Sequence, residues 1–539
     1  MTVEQKRRVV VIGGGVSGLA AAHALAERSA QDSSPFEIVL LEASGRLGGV
    51  VQTHERDGFL LEGGPDSFIS EKPEALQLAR RIGLASRLIE TNEAHRRSFV
   101  VRGGRLHPTP EGFQLLAPSR LWPFITTDIF SWAGKARMAL DLVLPRRAPR
   151  ADGSPKDESL AAFVRRRLGR EALERMAQPM VGGIYTADPE QLSLRATMPR
   201  FLEMERAHRS LIWAMWHAAR KQRADRRNSP GSSESDATNA RHGRDTNGTN
   251  NSSDAGNVDG VNQADKAHVK SNHRAGEASG ARYGLFLSFD GGMQVLTDQL
   301  AASLPPNSAR LNTRAESLAF DDATRQWKIL VAQTNGAADV AAETIVADAV
   351  CLALPAYAAA HLLHGVDATL AAELDSIKYA STATVNLAFR RADIPHALDG
   401  FGFVSPLIER RATLACTFSS VKFVGRAPAG HALLRAFVGG ALQPEMFALD
   451  EEKIVRAVRQ DLQQLLSVEK PPVFSVVKKW PRSMAQYHLG HLERIERIRQ
   501  RLRTLPSLQL AGNAYHGAGI PDCIRSGENA ASELVNGKW

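Results

Sequence analysis

The stretch VVVIGGGVSGLAAAHALAER, residues 9–28, constrains the fold more than any other part of the chain. Val9 to Ile12 is a continuous β-branched run of the kind buried inside a parallel sheet, and the residues after Gly18 are strong helix formers. Between them Gly13, Gly15 and Gly18 stand at GxGxxG spacing, with Gly14 inside the turn. After a strand and before a helix, that spacing has a mechanical meaning. Gly13 permits the tight turn, Gly15 lets a pyrophosphate approach the backbone, and Gly18 lets the helix pack closely on the sheet. The phosphate charge then lies at the helix N-terminus. A second strand, FEIVLLE, ends in Glu42, where a carboxylate accepts hydrogen bonds from a ribose.

A dinucleotide site of this kind takes NAD or FAD, and the next residues separate the two. Glu42 runs through Ala43 into a second glycine-rich stretch, with Arg46, Gly48 and Gly49 just past the ribose carboxylate. A nicotinamide dehydrogenase has no need of it, whereas a ribityl chain and isoalloxazine need close backbone passage and a cation near the pyrophosphate. FAD is the better reading. Near the other end, LQLAGNAYHGAGIPDCIRSG supplies another strand, more glycines and a helix, so one extended cofactor would tie both ends of the chain together. No further GxGxxG follows a strand, so a separate NADPH site is not expected and the electrons come from the substrate.

Composition narrows the setting. A chain of 539 residues, 43% hydrophobic, buries a large core and divides into two or three domains. Three cysteines, Cys351, Cys416 and Cys523, lie far apart without CxxC or histidine neighbours, which predicts a reducing compartment and no metal site. The polar start leaves no room for a signal peptide, and no apolar run approaches the ~18 residues that span a bilayer. A cytoplasmic protein is expected. The net charge of +9 suits an anionic ligand or surface. Without a basic stripe interleaved with aromatics, no nucleic acid binding is expected. From Arg223 to Gly280 the sequence is dominated by Ser, Asn, Asp, Gly and Ala and holds no aromatic residue, which predicts a disordered insertion.

The GxGxxG turn, Glu42 with GRLGG, and the GNxxxGxG turn resemble the flavin-containing amine oxidase and porphyrinogen oxidase superfamily. EGGPDSF (62–68), GGIYTADPEQLSL (182–194), LSFDGGMQVL, WPRSMAQYHLGH (480–491) and GAGIPDC sharpen the resemblance to the porphyrinogen oxidases of heme synthesis, in particular the soluble, coproporphyrin-forming branch. The resemblance implies an α/β (α+β) fold: a Rossmann-like FAD-binding domain of p-hydroxybenzoate hydroxylase type, a mixed-sheet substrate domain and an inserted helical domain. Mapped here, the FAD domain takes 6–62, 285–355 and 492–539, the substrate domain 63–91 and 356–491, and the helical domain 92–220. It further implies noncovalent FAD contacts at Gly64, Pro65, Asp66 and Ser67, at Ala518, Gly519 and Ile520, and at the ring of Trp480, which as a bare sequence feature reads equally as core.

The resemblance also implies the chemistry. No nucleophile stands beside a base, as expected where the cofactor itself accepts hydride. Oxidising a porphyrinogen removes six electrons, handed in three steps to dioxygen as hydrogen peroxide. Porphyrinogen and dioxygen are then the reactants, and other enzymes of heme synthesis the candidate partners; the oligomeric state stays open. Phe401 is the aromatic placed against the macrocycle. Lys72 and the group Arg96, Arg97, Arg102 and Arg105, with Arg97 foremost, are the candidate cations for its propionates, although four basic residues in ten read equally as solvated surface. Ser98 stands where many protoporphyrinogen oxidases carry an arginine, which favours coproporphyrinogen III over protoporphyrinogen IX. A flavin amine oxidase is the rival enzyme, but no cysteine lies between Val438 and Gly512 to tether the flavin. A non-enzymatic FAD-binding protein is the rival of another class. Trp122, Phe124, Phe130 and Trp132 lie between basic residues, and read either as a peripheral membrane contact or as an ordinary helical lid.

Overall fold

The computed structural model describes residues 6–32, 35–114, 117–118, 120–147, 157–227, 286–334 and 343–536. The β-branched run forms the strand Arg8–Ile12, whose Val9, Val10 and Val11 are wholly buried. It pairs in parallel with Glu37–Leu41 on one side and Ala349–Leu352 on the other, inside a five-stranded sheet completed by Ala309–Arg310 and Leu508–Leu510. A strand covered on both faces has no use for alternating polarity, which is why its sequence is continuously apolar. The chain leaves Arg8–Ile12 toward one neighbour and returns much later to the other. The crevice beyond its C-terminal end is therefore a topological switch point, where ligands of such sheets bind.

Helix Val16–Gln31 covers one face of this sheet, and helix Ile520–Asn536 packs directly on it. A Cβ at Gly527 would run into Ser17 O, so only glycine admits this approach. The antiparallel strands Thr313–Asp321, Gln326–Gln333 and Glu343–Ala347 form a separate sheet that leads into Ala349–Leu352. These elements lie within residues 6–62, 285–355 and 492–539.

The second large layer is a seven-stranded mixed sheet in the order Phe474–Ala485, Tyr379–Arg390, His431–Gly439, Ala415–Phe418, Gly402–Val404, Phe99–Arg102, Arg105–Pro108. Its last two strands correct the expected domain boundaries. Residues 99–108, placed in the helical domain from sequence, form a hairpin whose first strand pairs in parallel with Gly402–Val404. Alternation in FVVR and RLHP is too short to be told from helix by period alone. The helical layer starts at Leu121–Thr126 and ends with Leu211–Arg227. That last helix also corrects the start of the expected insertion, since residues 223–227 continue it; the rest, 228–280, lies outside the described residues.

One buried ion pair organises the helical layer. Arg167 and Asp141 have side chains with no exposure, and Arg167 Nε donates to Asp141 Oδ1 at 2.6 Å. The remaining groups are satisfied: Arg167 Nη2 donates to Asp141 O and Arg209 O, while Asp141 Oδ2 accepts from Ser210 Oγ and Ile212 N. A buried pair is tolerated on that condition of full hydrogen bonding.

Candidate active site

The four glycines of the first turn divide into closed and open positions. A Cβ at Gly13 would run into Ala353 O, one at Gly14 would press on Leu47 and Glu42, and one at Gly18 would run into Gly13 O. At Gly15 a Cβ would meet nothing within 4 Å. Gly15 is also the N-cap of Val16–Gln31, without a side-chain cap, and the first turn of that helix carries no carboxylate. The positive end of the helix thus faces an open, uncompensated notch, which suits an anion. Gly48 donates its N–H to Gly14 O at 2.8 Å, and a Cβ at Gly49 would lie 3.1 Å from Gly15 Cα. The two glycine stretches therefore form one floor.

Glu42 stands at the end of its strand as expected, but its carboxylate is already engaged in shaping that floor. Oε2 accepts from Gly14 N at 2.7 Å and Oε1 from Ser44 N at 2.8 Å, and each oxygen keeps a further lone pair. Glu42 and Ala43 line a cavity of about 830 Å³ that opens beyond Ile12 and Leu41, walled also by Thr313–Glu316, Tyr357 and Arg482. The Arg46 guanidinium donates to Gly49 O at 2.7 Å and Val51 O at 2.5 Å and so closes its own loop. Burial lowers its pKa from the usual arginine value.

The segment Glu62–Ser67 joins the cofactor half to the mixed sheet. Trp480 Nε1 and Thr384 Oγ1 both donate to Gly63 O, at 2.8 and 2.9 Å, and Asn386 Nδ2 donates to Glu62 O. Trp480 is therefore half-buried and anchored by its nitrogen. Arg435, almost wholly buried, donates to Gly64 O. After Pro65, Asp66 accepts from Lys422 Nζ at 3.0 Å and from Ser67 Oγ at 2.8 Å, with Arg435 Nη1 at 3.8 Å. Burial pushes the Asp66 carboxyl up, but the Lys422 and Arg435 charges outweigh it and hold it well below the usual carboxylate range. Glu62, with neighbours Met293 N and Thr53 Oγ1, is driven the other way by burial, to about 7. Arg435 Nε and Asn386 Oδ1 are buried without a partner, beside the same backbone.

Sequence reading missed Lys422, Arg435 and the altered state of Glu62. A signal was present, since Arg435 interrupts the apolar strand HALLRAFVG, and a lone charge there requires a buried partner.

Helix Ile520–Asn536 starts from the Gly517 turn, where Tyr487 OH accepts from Gly517 N and donates to Asn513 O. Gly519 is exposed, Ala518 is partly exposed and Ile520 is buried in the core shared with Val16 and Leu19. Ser17 lies against Cys523 and Gly527, so the starts of the two helices converge.

The three substrate candidates are not brought together. Lys72 Nζ binds Asp522 at 2.5 and 2.7 Å, and Arg525 shares that carboxylate, so in this structure Lys72 braces the turn. Arg97 and Phe401 are adjacent, Phe401 N donating to Arg97 O at 2.8 Å. Phe401 is buried, and Arg97 pairs with Asp399 while remaining 42% exposed. Arg96 is paired with Glu93 and Glu90, and Ser98 with Thr109. Among the described residues no group of three or more His, Cys, Asp or Glu could hold a metal, and no helix is long and apolar enough to cross a membrane.

An open notch at a helix N-terminus, a glycine floor and a second converging helix define a dinucleotide-dependent oxidoreductase. The chain belongs to the flavin containing amine oxidoreductase family, whose model matches residues 16–535, and its cofactor is FAD. It is 32% identical to coproporphyrinogen III oxidase of Bacillus subtilis (strain 168), over 98% of each chain. It is 37% identical to coproporphyrinogen III oxidase of Propionibacterium freudenreichii subsp. freudenreichii, over 98% of this chain and 90% of that one. A solved structure from Exiguobacterium sp. 255-15, described as a protoporphyrinogen oxidase, superposes with TM-score 0.76 at 29% identity, covering 98% and 99% of the two chains.

Proposed function

We propose that this chain oxidises coproporphyrinogen III to coproporphyrin III, using FAD and dioxygen. The observation that carries the reading is full-length identity to two coproporphyrinogen III oxidases, higher in both cases than to the structure described as a protoporphyrinogen oxidase. Bound FAD would supply the two-electron acceptor for each hydride lost by the porphyrinogen, with dioxygen as the final oxidant.

The chain's own residues supply binding and orientation. Gly15 and the helix behind it would receive the pyrophosphate, and Glu42 and Ala43, which line the cavity, the adenosine end. Gly64 to Ser67, fixed by Arg435 and Lys422, Trp480, fixed on Gly63, and Ala518 to Ile520 would hold the flavin end. Arg97 is the substrate cation, a half-exposed guanidinium whose pairing with Asp399 is open to exchange for a propionate, with the buried Phe401 adjacent to it.

The test is steady-state kinetics of the purified FAD-loaded enzyme on both porphyrinogens, followed by porphyrin fluorescence. A higher kcat/KM for coproporphyrinogen III is expected. A higher value for protoporphyrinogen IX would replace the reading with protoporphyrinogen IX oxidase.

A further inference from the structure

The edge strand Phe474–Ala485 departs from a regular ladder just after Trp480. Trp480 lies opposite Thr382 and Met484 opposite Ala380, so Pro481, Arg482 and Ser483 stand against Ser381 alone. The surplus residues bulge out of the ladder, and such a bulge re-aims a side chain. Pro481 lacks the N–H that regular pairing would use, as suits a bulge. Arg482 stands in the middle of it with a φ of 46°, a conformation that costs a non-glycine residue free energy.

Neighbouring groups hold the strained residue in place. Arg482 N donates to Ser381 Oγ at 2.9 Å, and Ser483 Oγ donates to Trp480 O at 3.1 Å. On one side Trp480 is fixed to Gly63 O; on the other, Asn513 Nδ2 donates to Ser483 O at 3.1 Å. The bulge is thus strapped both to the Glu62–Ser67 segment and to the C-terminal glycine turn. Glycine or asparagine would adopt this φ at lower cost, so an arginine here points to a use for its side chain.

That side chain reaches the large cavity. Arg482 and Tyr357 line it together with Gly13, Glu42 and Ala43. The guanidinium carbon lies 3.6 Å from the centre of the Tyr357 ring. Tyr357 in turn meets Tyr379 edge-on at 5.2 Å, and Tyr379 OH accepts from Ala356 N at 2.8 Å, so the platform is itself anchored. Stacking on a ring face orients a guanidinium and leaves its N–H groups available. Among the described residues no Asp or Glu forms an ion pair with Arg482. Arg46, by contrast, donates to Gly49 O and Val51 O.

A dinucleotide entering at Gly15 brings a diphosphate with two negative charges, and a helix N-terminus supplies only a partial positive one. With FAD as the cofactor, on which the inference rests, we propose that Arg482, carried by the bulge and oriented by Tyr357, binds the cofactor's diphosphate. A guanidinium fork matches two phosphate oxygens at once. The contact would make the mixed sheet, as well as the glycine turn, a holder of the phosphates.

The experiment is titration of FAD into the FAD-free full chain, followed by flavin fluorescence at low and high salt. Arg482→Met should raise the Kd about tenfold or more at low salt and flatten the salt dependence, with Arg482→Lys between the two. ADP competing with FAD should lose affinity in the same ratio, and adenosine should lose none. Arg482→Gly relieves the strained φ, so it should match Arg482→Met in Kd without lowering the Tm of the FAD-free protein. Equal FAD affinity and salt dependence in wild type and Arg482→Met would overturn the proposal alone. Equal losses for ADP and adenosine would overturn it too, because the residue would then act through shape. So would an equal loss from Arg314→Met on the same cavity wall, which would assign the effect to the cavity's overall charge. Wild-type chain that takes up no FAD would overturn the cofactor assignment and the proposal with it.

Discussion

Glu62 and Asp66, four residues apart, show how surroundings rather than residue type set a carboxyl's state. Glu62 is held mainly among neutral groups and Asp66 among cations. Because the folded chain keeps a proton on Glu62 up to about pH 7, while an ordinary glutamate releases it near 4.5, this group's contribution to stability is fully present below pH 4.5 and is lost as pH rises to 7. The difference is on the order of 3 kcal/mol. Urea unfolding across that range should show the decline, and Glu62→Gln should flatten it. Asp66 has the opposite sign: its pKa is depressed, so its contribution is present above pH 4 and is lost as pH falls further. Lys422→Met should cost about 3 kcal/mol at neutral pH, because it leaves a largely buried carboxylate with only Arg435 for charge. Adding Asp66→Asn should recover most of that loss; a purely additive double variant would show that the pair is not coupled.

Among the elements, the turn between Arg8–Ile12 and Val16–Gln31 separates what glycine does for folding from what it does for binding. Gly18→Ala places a methyl on Gly13 O and should lower the Tm of the FAD-free protein, whereas Gly15→Ala enters open space at an ordinary φ of −73° and should not. In an FAD titration, Gly15→Ala should nevertheless raise the Kd about tenfold or more, because the methyl occupies the pyrophosphate's approach. This turn, Glu42 and the paired helix starts were legible in the sequence because each depends on a local spacing that backbone geometry enforces. The hairpin at 99–108 was not, since four-residue strands carry too little periodicity and their place depends on Gly402–Val404, three hundred residues away. Lys72 and Arg46 illustrate the same limit at the site. A sequence shows that a cation is present, but the carboxylate or carbonyl that occupies it, Asp522 for Lys72, comes from a distant segment.

For the whole molecule, the proposed cofactor site draws on residues near 15, 42, 65, 480 and 519, so FAD bound there would act as a staple across segments far apart in sequence. Saturating FAD at about a thousand times Kd should stabilise the fold by about 4 kcal/mol, read as a rise in Tm over the FAD-free protein. Acid precipitation should release the flavin completely. Cys351 and Cys416 are buried and the Cys523 thiol is pushed up to about 11 by burial, so no thiolate is ready to form a tether. The packing of Ile520–Asn536 on Val16–Gln31 also imposes an order in time. At translation rates of roughly 5–20 residues per second, about 25–100 s separate the synthesis of the two helices. Throughout that interval the nascent chain shows Ser17 and Ala21 without the Gly527 surface that covers them, and no complete flavin site exists. The complete FAD site therefore forms only once Ile520–Asn536 has been made, and a chain truncated before residue 520 should bind FAD more weakly than the full chain in a titration.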